Sequence, residues 1–336
     1  MLDHASRSRG EFTKVPVKSK PNRSNKLLLP SINETQNPSI VFDSKNHKPL
    51  FIYHFHPSHN PSPNFTSLNQ LIIPFYKLAQ NHSHIKFNSD SIDGNMKGVG
   101  FLCGSNSGKS LGFYSRKTTF NPEILEADNE AWMTLSRFEN FVSSCIKILF
   151  MSASHDNNEI MQEVHLPEWN EGEWTPMFHQ KLRSFSNVII TTNGFHNCVH
   201  RDEKDVNTWT YGLFTFFDKS GIQPIPSPIC SCGYGFLFPE DSTLLDFSHK
   251  QGIIELLWKT SIHFYQTTEP THILDELPTI AYFGFSFQIN YKLYTRAKRL
   301  ICMNPTTHEE KTYGPQERIQ NEKKRHQQRK MKLAKI

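Results

Sequence analysis

The sequence lacks long hydrophobic runs and regularly spaced cysteines, and these absences limit the kinds of protein it can encode. None of the 336 residues lies in an apolar stretch of about 18 residues, the length that a membrane-spanning helix needs. The basic N-terminus is not followed by an apolar segment, which argues against a secretory signal. The six cysteines are irregularly spaced and show no zinc-finger pattern, so we expect an intracellular protein with reduced thiols.

What the sequence does contain is enough apolar material for a sizeable core. Hydrophobic residues make up 37% of the chain, and 26 phenylalanines supply much of that share. The length suits one large domain or two ordinary ones. No internal repeat is visible in the sequence.

Positive charge is concentrated at the two ends of the chain. Residues 1–27 have a net charge of +5 and residues 311–336 a net charge of +7, so the total of +5 leaves −7 for residues 28–310. We therefore expect any DNA partner to be attracted mainly by the termini. The basic run of the tail could contact phosphates, act as a nuclear address or remain solvated, and we favour a nuclear location. Its residues are Lys323, Lys324, Arg325, Arg329 and Lys330.

Composition divides the chain into three regions. Residues 1–60 mix basic residues with Ser, Asn and Pro and are predicted to be largely disordered. Residues 61–302 are predicted to form one domain, with a helical part over 61–186 and a β-rich part over 187–302, and residues 303–336 form a basic, flexible tail. Hydrophobic periodicity predicts four helices. They are Thr66–Leu78 with a break at Pro74, Ala127–Met151, Thr175–Phe185 and Lys292–Ile301.

Short β-rich runs separated by turn residues predict a sandwich or jelly-roll core after residue 187. With the helices that precede it, this order of elements indicates an α+β fold. A further short strand is predicted at Lys97–Cys103. The seven predicted core strands are Asn187–Thr192, Thr208–Phe217, Gly235–Phe238, Leu244–Phe247, Ile253–Trp258, Ser261–Thr267 and Ala281–Ile289.

An H-x-D motif lies between two of these strands. His200 and Asp202 are two residues apart, and at the end of a strand such a spacing can point both side chains to one side. A second histidine from a distant strand would complete a set of two histidines and one carboxylate, which binds Fe(II) and leaves positions open for other ligands. The same two residues could equally be exposed loop side chains, because H-x-D alone is a weak signal.

The surroundings of this motif resemble the fungal branch of the Tet/JBP family of Fe(II)- and 2-oxoglutarate-dependent oxygenases. The resemblance covers about residues 97–302 and rests on the order and spacing of several segments. These are Lys109–Tyr114 (KSLGFY), Asn197–Asp205 (NCVHRDEKD), Trp209–Phe214 (WTYGLF), Phe236–Phe247 (FLFPEDSTLLDF) and Gly284–Asn290 (GFSFQIN). It implies a double-stranded β-helix that holds Fe(II) and 2-oxoglutarate and oxidises methylated nucleobases in DNA.

Two positions depart from the family pattern. The resemblance implies that His200 and Asp202 bind iron and that the distal histidine falls at Tyr265. The arginine that pairs with the far carboxylate of 2-oxoglutarate falls at Tyr282, which cannot form a bidentate, charge-assisted contact. The alternative interpretation is therefore an inactive relative that keeps a nucleic-acid or protein binding role.

Other residues could compensate for these two replacements. His263 lies two residues before Tyr265 in the predicted strand, so a bulge could bring it to the metal as the distal ligand. Arg296 could replace the missing arginine, and Asn197, which opens the motif, is a further candidate for cofactor binding.

A glycine-rich segment offers a third function, nucleotide hydrolysis. Gly104–Ser110 (GSNSGKS) resembles a P-loop, but three residues separate its glycines where the motif requires four. We regard a glycine-rich turn with an exposed Lys109 as the better interpretation.

Overall fold

The structure is a computed structural model that describes most of residues 37–304. The described residues are 13–15, 37–43, 45–85, 92–103, 111–114, 121–138, 140–171, 182–203, 205–206, 209–220, 223–226, 234–248, 250–269, 279–304 and 306–307, with 320, 324, 327, 328 and 331 in the tail. The glycine-rich segment at 104–110 lies outside them, as do Lys323, Arg325, Arg329 and Lys330, whereas Lys324 is described and exposed. Among the described helices, none has the length and apolar character that crossing a membrane requires.

The described strands form one large and one small sheet. In chain order the strands are β1 (Thr13–Val15), β2 (Ser39–Phe42), β3 (Pro49–Pro57), β4 (Ile92–Cys103), β5 (Leu111–Phe113), β6 (Asn187–Asn197), β7 (Thr210–Asp218), β8 (Gln223–Pro224), β9 (Phe236–Phe238), β10 (Thr243–Leu245), β11 (Gly252–Trp258), β12 (Gln266–Thr267) and β13 (Ile280–Gln288). The large sheet has the order β1-β2-β3-β11-β7-β13-β6-β4-β5, with β8 on β7, and the small sheet has the order β10-β9-β12.

The two sheets form a double-stranded β-helix. Its centre is the antiparallel set β11-β7-β13-β6, in which sequence neighbours are separated and strands from both halves of the β-rich part alternate. An isolated bridge between His200 and Tyr265 extends the small sheet beyond β12. The α+β fold with a jelly-roll core is thus confirmed.

Within the described residues, five α-helices accompany the sheets. They are α1 (Phe65–Asn81), α2 (Pro122–Leu135), α3 (Phe141–Leu149), α4 (Met151–Glu163) and α5 (Tyr291–Leu300). Apolar residues three and four positions apart give each of α1, α3 and α5 one buried face. These faces pack with the outer side of the large sheet in one continuous core.

Side-chain alternation along each central strand separates this outer core from an inner one. On β11, Ile253 and Leu257 point to the helices, whereas Ile254, Leu256 and Trp258 point between the sheets. Aromatic rings dominate the inner core, so the interior of the β-helix is filled by side chains. The inner aromatics are Phe51, Tyr53, Phe55, Phe214, Phe216, Tyr234, Phe236, Phe238, Phe247, Trp258, Tyr265 and Tyr282.

Several predicted elements differ from the structure. The prediction of disorder over residues 1–60 is wrong for β2 and β3. The strand β3 is buried, and its residues 51–57 pair with residues 252–258 of β11. The single helix predicted at Ala127–Met151 is interrupted by a 3₁₀ turn at Ser136–Phe138 and by Phe150, which has extended backbone angles. The break predicted at Pro74 is absent because burial of the apolar face holds α1 together.

Two further predicted elements do not hold in full. Most of the helix predicted at Thr175–Phe185 lies outside the described residues, and its described part, 182–185, is irregular. The strand predicted at Ser261–Thr267 is reduced to Gln266–Thr267, because residues 259–263 form a turn in which Lys259 O accepts the amide hydrogens of Ile262 and His263. This turn decides where His263 points.

Candidate functional site

Backbone pairing brings the H-x-D turn to the segment that precedes β12. The His200 amide donates to Tyr265 O at 3.0 Å, and the Tyr265 amide donates to His200 O at 2.9 Å. One turn further, the Asp202 amide donates to Thr260 O at 2.9 Å. These bonds hold together two segments about sixty residues apart, as the resemblance implied for the two halves of a metal site.

The side chains of this region form what we call the mouth site, comprising Asn197, His200, Asp202 and Tyr265. The Tyr265 hydroxyl donates to Asp202 Oδ2 at 2.6 Å, and Asp202 Oδ1 lies 3.7 Å from His200 Nε2. The rings of His200 and Tyr265 lie 4.5 Å apart, and Asn197 Nδ2 lies 3.4 Å from His200 Nε2. Asn197 is fixed in turn because its Oδ1 accepts the Thr267 amide at 2.8 Å. Four of the predicted site residues are therefore together.

His200 has the orientation of a metal-ligating imidazole. Its Nδ1 lies 2.9 Å from the carbonyl oxygen of Cys198, a contact in which Nδ1 carries the proton. In that tautomer Nε2, the atom nearer Asp202, carries the lone pair that could ligate a metal, and here it accepts the long hydrogen bond from Asn197 Nδ2. Both side chains are about one-third exposed, so a small cation can reach them from solvent.

Tyr265 is a poor third ligand because it keeps its proton. Its side chain is buried against Phe236 and Trp258, and burial, followed by the charge of Asp202, raises its pKa well above the ordinary value. The neutral phenol therefore donates to Asp202 rather than offering an anionic oxygen. In the part of the chain that the structure describes, no third His, Cys, Asp or Glu joins His200 and Asp202 in a metal-sized group.

A second carboxyl group lies behind the mouth site. Asp205 is buried, its Oδ2 accepts a hydrogen bond from the Thr260 hydroxyl at 3.0 Å, and its amide donates to Asp202 O at 3.0 Å. Burial, and then the neighbouring charge of Asp202, raises the pKa of Asp205 well above its ordinary value.

Tyr282 lies in the inner core and not at a carboxylate-binding position. Its hydroxyl donates to Tyr234 O at 3.0 Å, and its ring contacts Tyr234 and Phe216 at centroid distances of 4.3 and 5.1 Å. The cavity beside it has a volume of about 10 Å³, room for roughly one water molecule. That cavity is lined by Phe214, Thr215, Phe216, Phe247, Lys250, Gly252, Ile254 and Tyr282. The residues at this position do not fit 2-oxoglutarate.

The two compensating residues proposed from the sequence, His263 and Arg296, lie in a turn and on a helix. His263 belongs to the 259–263 turn, and the charges that act on its ring are those of Asp43, Asp241, Glu240 and Lys259, not Asp202. Burial, the first of its influences, lowers the pKa of His263. Arg296 is exposed on α5, the helix that packs on the outer side of the sheet.

A second cluster, which was not predicted from the sequence, lies on the helix-covered face of the large sheet. We call His54, His56 and Glu255 the buried triad. His54 and His56 point to the same side of β3, and Glu255 lies directly opposite His54 on β11. One ligand atom from each of the three can be chosen so that all lie within 4.8 Å of one another. The signal was an H-x-H pair at the same spacing as the H-x-D motif, in a segment predicted to be disordered.

The buried triad is dry and closely bonded. His56 and Glu255 have side chains 0% and 3% exposed, and His56 Nε2 lies 2.5 Å from Glu255 Oε2. His54 Nδ1 lies 3.5 Å from the same oxygen, and Tyr211 donates to Glu255 Oε1 at 2.5 Å. Burial alone would raise the pKa of Glu255, but contacts with His56 and His54 outweigh it and hold that pKa well below the ordinary value. Glu255 is therefore a buried carboxylate.

Comparison with known proteins identifies a family for most of the domain. A family model described as the Tet-like 2OG-Fe(II) oxygenase superfamily matches residues 68–270. A search of curated proteins finds no match. Among solved structures, a prolyl hydroxylase from Trichoplax adhaerens in complex with a hypoxia-inducible factor peptide is 10% identical, with 74% of this chain and 86% of that chain covered and a TM-score of 0.34. A prolyl-4-hydroxylase from Pseudomonas putida is 7% identical, with 72% and 92% covered and a TM-score of 0.32.

Proposed function

Because the chain belongs to the Tet-like 2OG-Fe(II) oxygenase superfamily, we propose that it is a member that does not turn over 2-oxoglutarate and that binds nucleic acid instead. The observation that carries the first half is the Tyr265 hydroxyl bonded to Asp202 at 2.6 Å, since it puts a neutral phenol where the family has an imidazole. The buried Tyr282 supports it as well, because a phenol bonded to a backbone carbonyl cannot hold a carboxylate as a guanidinium does.

Losing both interactions affects the two family cofactors differently. Without the distal imidazole, iron keeps two protein ligands, His200 and Asp202, and a phenol that must first lose its proton. Without the arginine, 2-oxoglutarate loses a buried charge pair that contributes about 2–5 kcal/mol, or roughly 30- to several-thousand-fold in affinity. Weak iron binding can therefore persist where 2-oxoglutarate binding does not.

Turnover is tested by measuring succinate formed from 2-oxoglutarate by the full-length protein with Fe(II) and ascorbate. We expect no succinate above a protein-free control. Succinate formation that disappears in His200→Ala would overturn the proposal.

The proposal is also tested by restoring a histidine at position 265 and measuring iron binding. Tyr265→His replaces the phenol with an imidazole and is expected to tighten Fe(II) binding under anaerobic conditions by at least about tenfold. Tyr265→Phe is the matched control, because it removes the hydroxyl without adding a ligand. If the two variants bind Fe(II) equally, Tyr265 does not occupy the distal ligand position.

The binding role is supported by the rim of the mouth site. Arg201, the central residue of the H-x-D motif, places its guanidinium 5.2 Å from the centre of the Phe264 ring. Both side chains are more than one-third exposed, and Val199 and Ile262 beside them are exposed as well. Arginine and aromatic side chains are the groups on which unpaired bases stack. The basic tail adds charge that attracts phosphates, and it accords with a nuclear location.

Binding is tested with a fluorescent single-stranded oligonucleotide and anisotropy at several salt concentrations. We expect Phe264→Ala to weaken binding by roughly tenfold, because stacking contributes about 1–3 kcal/mol per base. Tyr291→Ala, an exposed aromatic residue on α5, is the matched control. Replacing the five basic tail residues by glutamine is expected to reduce the slope of log affinity against log salt concentration by about 0.7 for each phosphate that the tail no longer neutralises. Unchanged affinity in both sets of variants would contradict a nucleic-acid role.

Nucleobase oxidation is the second candidate function. What favours it is the convergence of His200 Nε2 and Asp202 Oδ1 at 3.7 Å with His200 in the ligating tautomer. The succinate measurement separates the two candidates, and repeating it with an oligonucleotide that contains 5-methylcytosine includes the case of turnover that requires substrate.

A further inference from the structure

The hydrogen bonds of His56 connect a serine hydroxyl to the carboxylate of the buried triad. Ser62 Oγ lies 2.6 Å from His56 Nδ1, and His56 Nε2 lies 2.5 Å from Glu255 Oε2. Tyr211 donates to the other carboxylate oxygen, Oε1, and so holds Glu255 in place. We call Ser62, His56 and Glu255 the serine relay. A hydroxyl, an imidazole and a carboxylate connected in this order form the triads that activate serine nucleophiles, which recur on unrelated folds and are recognised by their geometry.

The carboxylate decides which nitrogen of His56 is basic. Because Glu255 is ionised and accepts hydrogen bonds, the proton of a neutral His56 ring lies on Nε2, between the ring and Glu255 Oε2. Nδ1 then carries the lone pair and accepts the hydrogen bond of the Ser62 hydroxyl. An imidazole in this tautomer can take the serine proton, while the carboxylate stabilises the imidazolium that forms.

Ser62 is the member of the serine relay that a substrate can reach. It is half-buried in the loop between β3 and α1, and its neighbours Asn60, Pro61 and Pro63 are exposed. Prolines on both sides restrict the backbone of this loop. The Phe65 amide also donates to Ser62 O at 3.0 Å, so the loop holds the serine in position before a substrate arrives. Ser62 is therefore both accessible and fixed, as a nucleophile must be.

The first turn of α1 follows this serine directly. Ser62 precedes the helix N-cap, Asn64, by two residues, and the Asn64 side chain forms no capping hydrogen bond. The leading amides of a helix have no partner within the helix and stabilise negative charge. Pro63 has no amide hydrogen, so the donors available to an oxyanion formed at Ser62 are those of the helix and not that of the next residue.

We propose that Ser62 is a nucleophile that accepts acyl groups from small carboxylic esters, with His56 as its general base and Glu255 as a positioning residue. The exposed loop around Ser62 gives access to a short acyl group. His56 and Glu255 lie on the side of the large sheet opposite the inner core, so this site is separate from the mouth site and independent of whether oxidation occurs there.

The proposed reaction needs only the ester and water. Ser62 Oγ bonds to the ester carbonyl carbon as its proton moves to His56 Nδ1. The bond from that carbon to the alcohol oxygen then breaks, and the leaving alcohol takes the proton from Nδ1. Water attacks the acyl-serine in the same way, which releases a carboxylic acid and regenerates Ser62. Because His56 is fully buried, water has poor access to Nδ1 once Ser62 is acylated, so we expect the acyl-serine to accumulate.

The first test labels the full-length protein with a fluorophosphonate, which transfers its phosphonyl group to activated serines and releases fluoride. Mass spectrometry of the peptides is expected to locate the adduct on Ser62, and Ser62→Ala is expected to lose it. Ser58→Ala is the matched control and is expected to keep it, because Ser58 lies in the same loop but its hydroxyl contacts a carbonyl oxygen, that of Gln251, at 3.5 Å. No adduct on Ser62, or an equal adduct on Ser58, would overturn the proposal.

The second test follows acyl transfer from p-nitrophenyl acetate. The full-length protein is expected to release p-nitrophenolate in a burst that approaches one equivalent per chain, followed by a slower steady release as the acetyl-serine is hydrolysed. Ser62→Ala is expected to lose the burst, and Ser58→Ala to retain it. A release that is the same in Ser62→Ala as in the unmodified protein would show that the ester reacts elsewhere and would contradict the proposal.

Glu255→Gln tests the positioning residue separately. It removes the charge that stabilises the imidazolium, so we expect the fluorophosphonate adduct to form at least about tenfold more slowly but to reach the same final amount. Loss of folded protein would instead lower the final amount, so the two measurements separate activation from stability. Glu203→Gln, at an exposed carboxylate, is the control. An unchanged rate, or a loss seen only in the final amount, would contradict the role of Glu255.

Discussion

The mouth site and the buried triad each contain two ligand-type residues separated by one residue, but the first site is partly exposed and the second is buried. His200 and Asp202 are two residues apart, as are His54 and His56, and in each case a partner from a distant segment of the chain completes the cluster. The mouth-site pair is about one-third exposed, whereas His56 and Glu255 have side chains 0% and 3% exposed. The spacing therefore brings ligand atoms together, and burial and outer partners decide what the cluster can do.

The charged groups of the two clusters also respond to protons in opposite ways. In the buried triad, two imidazoles keep Glu255 ionised in spite of burial and hold its pKa low. Behind the mouth site, burial, and then the charge of the neighbouring Asp202 carboxylate, raises the pKa of Asp205 well above its ordinary value. The same fold thus contains one carboxyl group that acid disturbs and one that base disturbs.

The largest expected effect is that of removing the carboxylate of the triad. Glu255→Ala leaves two imidazoles and the Tyr211 hydroxyl without their acceptor in a dry core, so we expect the free energy of unfolding to fall by about 3–5 kcal/mol. Denaturant unfolding of the full-length protein measures it. Asp202→Ala, at the partly exposed mouth site, is expected to cost about 1–3 kcal/mol, because it leaves one buried hydroxyl, that of Tyr265, without its acceptor. Equal losses in the two variants would remove the contrast between the sites.

Acid unfolding is expected to depend on Glu255. Its folded pKa is below the unfolded value of about 4.3, so its stabilising contribution is present above that pH and is lost as pH falls through the folded value. The free energy of unfolding of the unmodified protein should therefore decrease below about pH 4.5, with one group contributing at most about 1.4 kcal/mol per pH unit. Glu255→Gln should show a shallower decrease. An unchanged slope would mean that Glu255 is not ionised in the folded state.

Asp205 is expected to give the opposite pH dependence. Its folded pKa is above the unfolded value of about 3.9, so stability is fully present below that pH and is lost as pH rises through the folded value. Asp205→Asn keeps an acceptor for the Thr260 hydroxyl and removes the ionisation. The free energy of unfolding, measured between about pH 4 and pH 8, should therefore fall less in the variant than in the unmodified protein. The difference should be at most about 1.4 kcal/mol per pH unit. Glu203→Gln, at an exposed carboxylate, is the control.

How much of the structure could be predicted from the sequence depends on the kind of sequence pattern involved. The core strands β6, β7, β11 and β13 were predictable because runs of Val, Ile, Leu and Phe bounded by turn residues leave few alternatives. The breaks between α2, α3 and α4 were not, because residues 136–140 contain no proline or glycine and packing alone sets the new helix directions.

The candidate site residues likewise divide into those that could be predicted from the sequence and those that could not. His200 and Asp202 were found because their motif stands between two strands. His263 was assigned to the same side as Tyr265 on the assumption of a continuous strand, and the 259–263 turn removes that periodicity. His54 and His56 were missed although the alternation of Phe51, Tyr53 and Phe55 with them marks a strand, since the surrounding polar composition favoured disorder. Contacts between distant segments, such as that of His54 with Glu255, cannot be predicted from local sequence patterns.

A smaller effect is expected at the phenol of the mouth site. Tyr265→Phe removes the hydrogen bond to Asp202 and keeps the ring packing on Phe236 and Trp258, so stability should fall by about 1 kcal/mol, the usual net contribution of one such bond. Thermal or denaturant unfolding measures this change. A loss as large as that of Glu255→Ala would indicate that the mouth site is as dry and as tightly bonded as the triad.

The smallest expected effect on stability is that of replacing Arg201 at the rim of the mouth site. There a substitution should change nucleic-acid binding without changing stability. Arg201 is exposed, and its contacts with Phe264 and Glu203 are at the surface, where such interactions contribute about 0–1 kcal/mol. Arg201→Ala is therefore expected to leave the unfolding midpoint nearly unchanged while it weakens binding of a single-stranded oligonucleotide and lowers the salt dependence. Arg296→Ala on α5 is the control for a lost surface charge. If both variants weaken binding equally, attraction is set by overall charge and the rim of the mouth site has no special part in it.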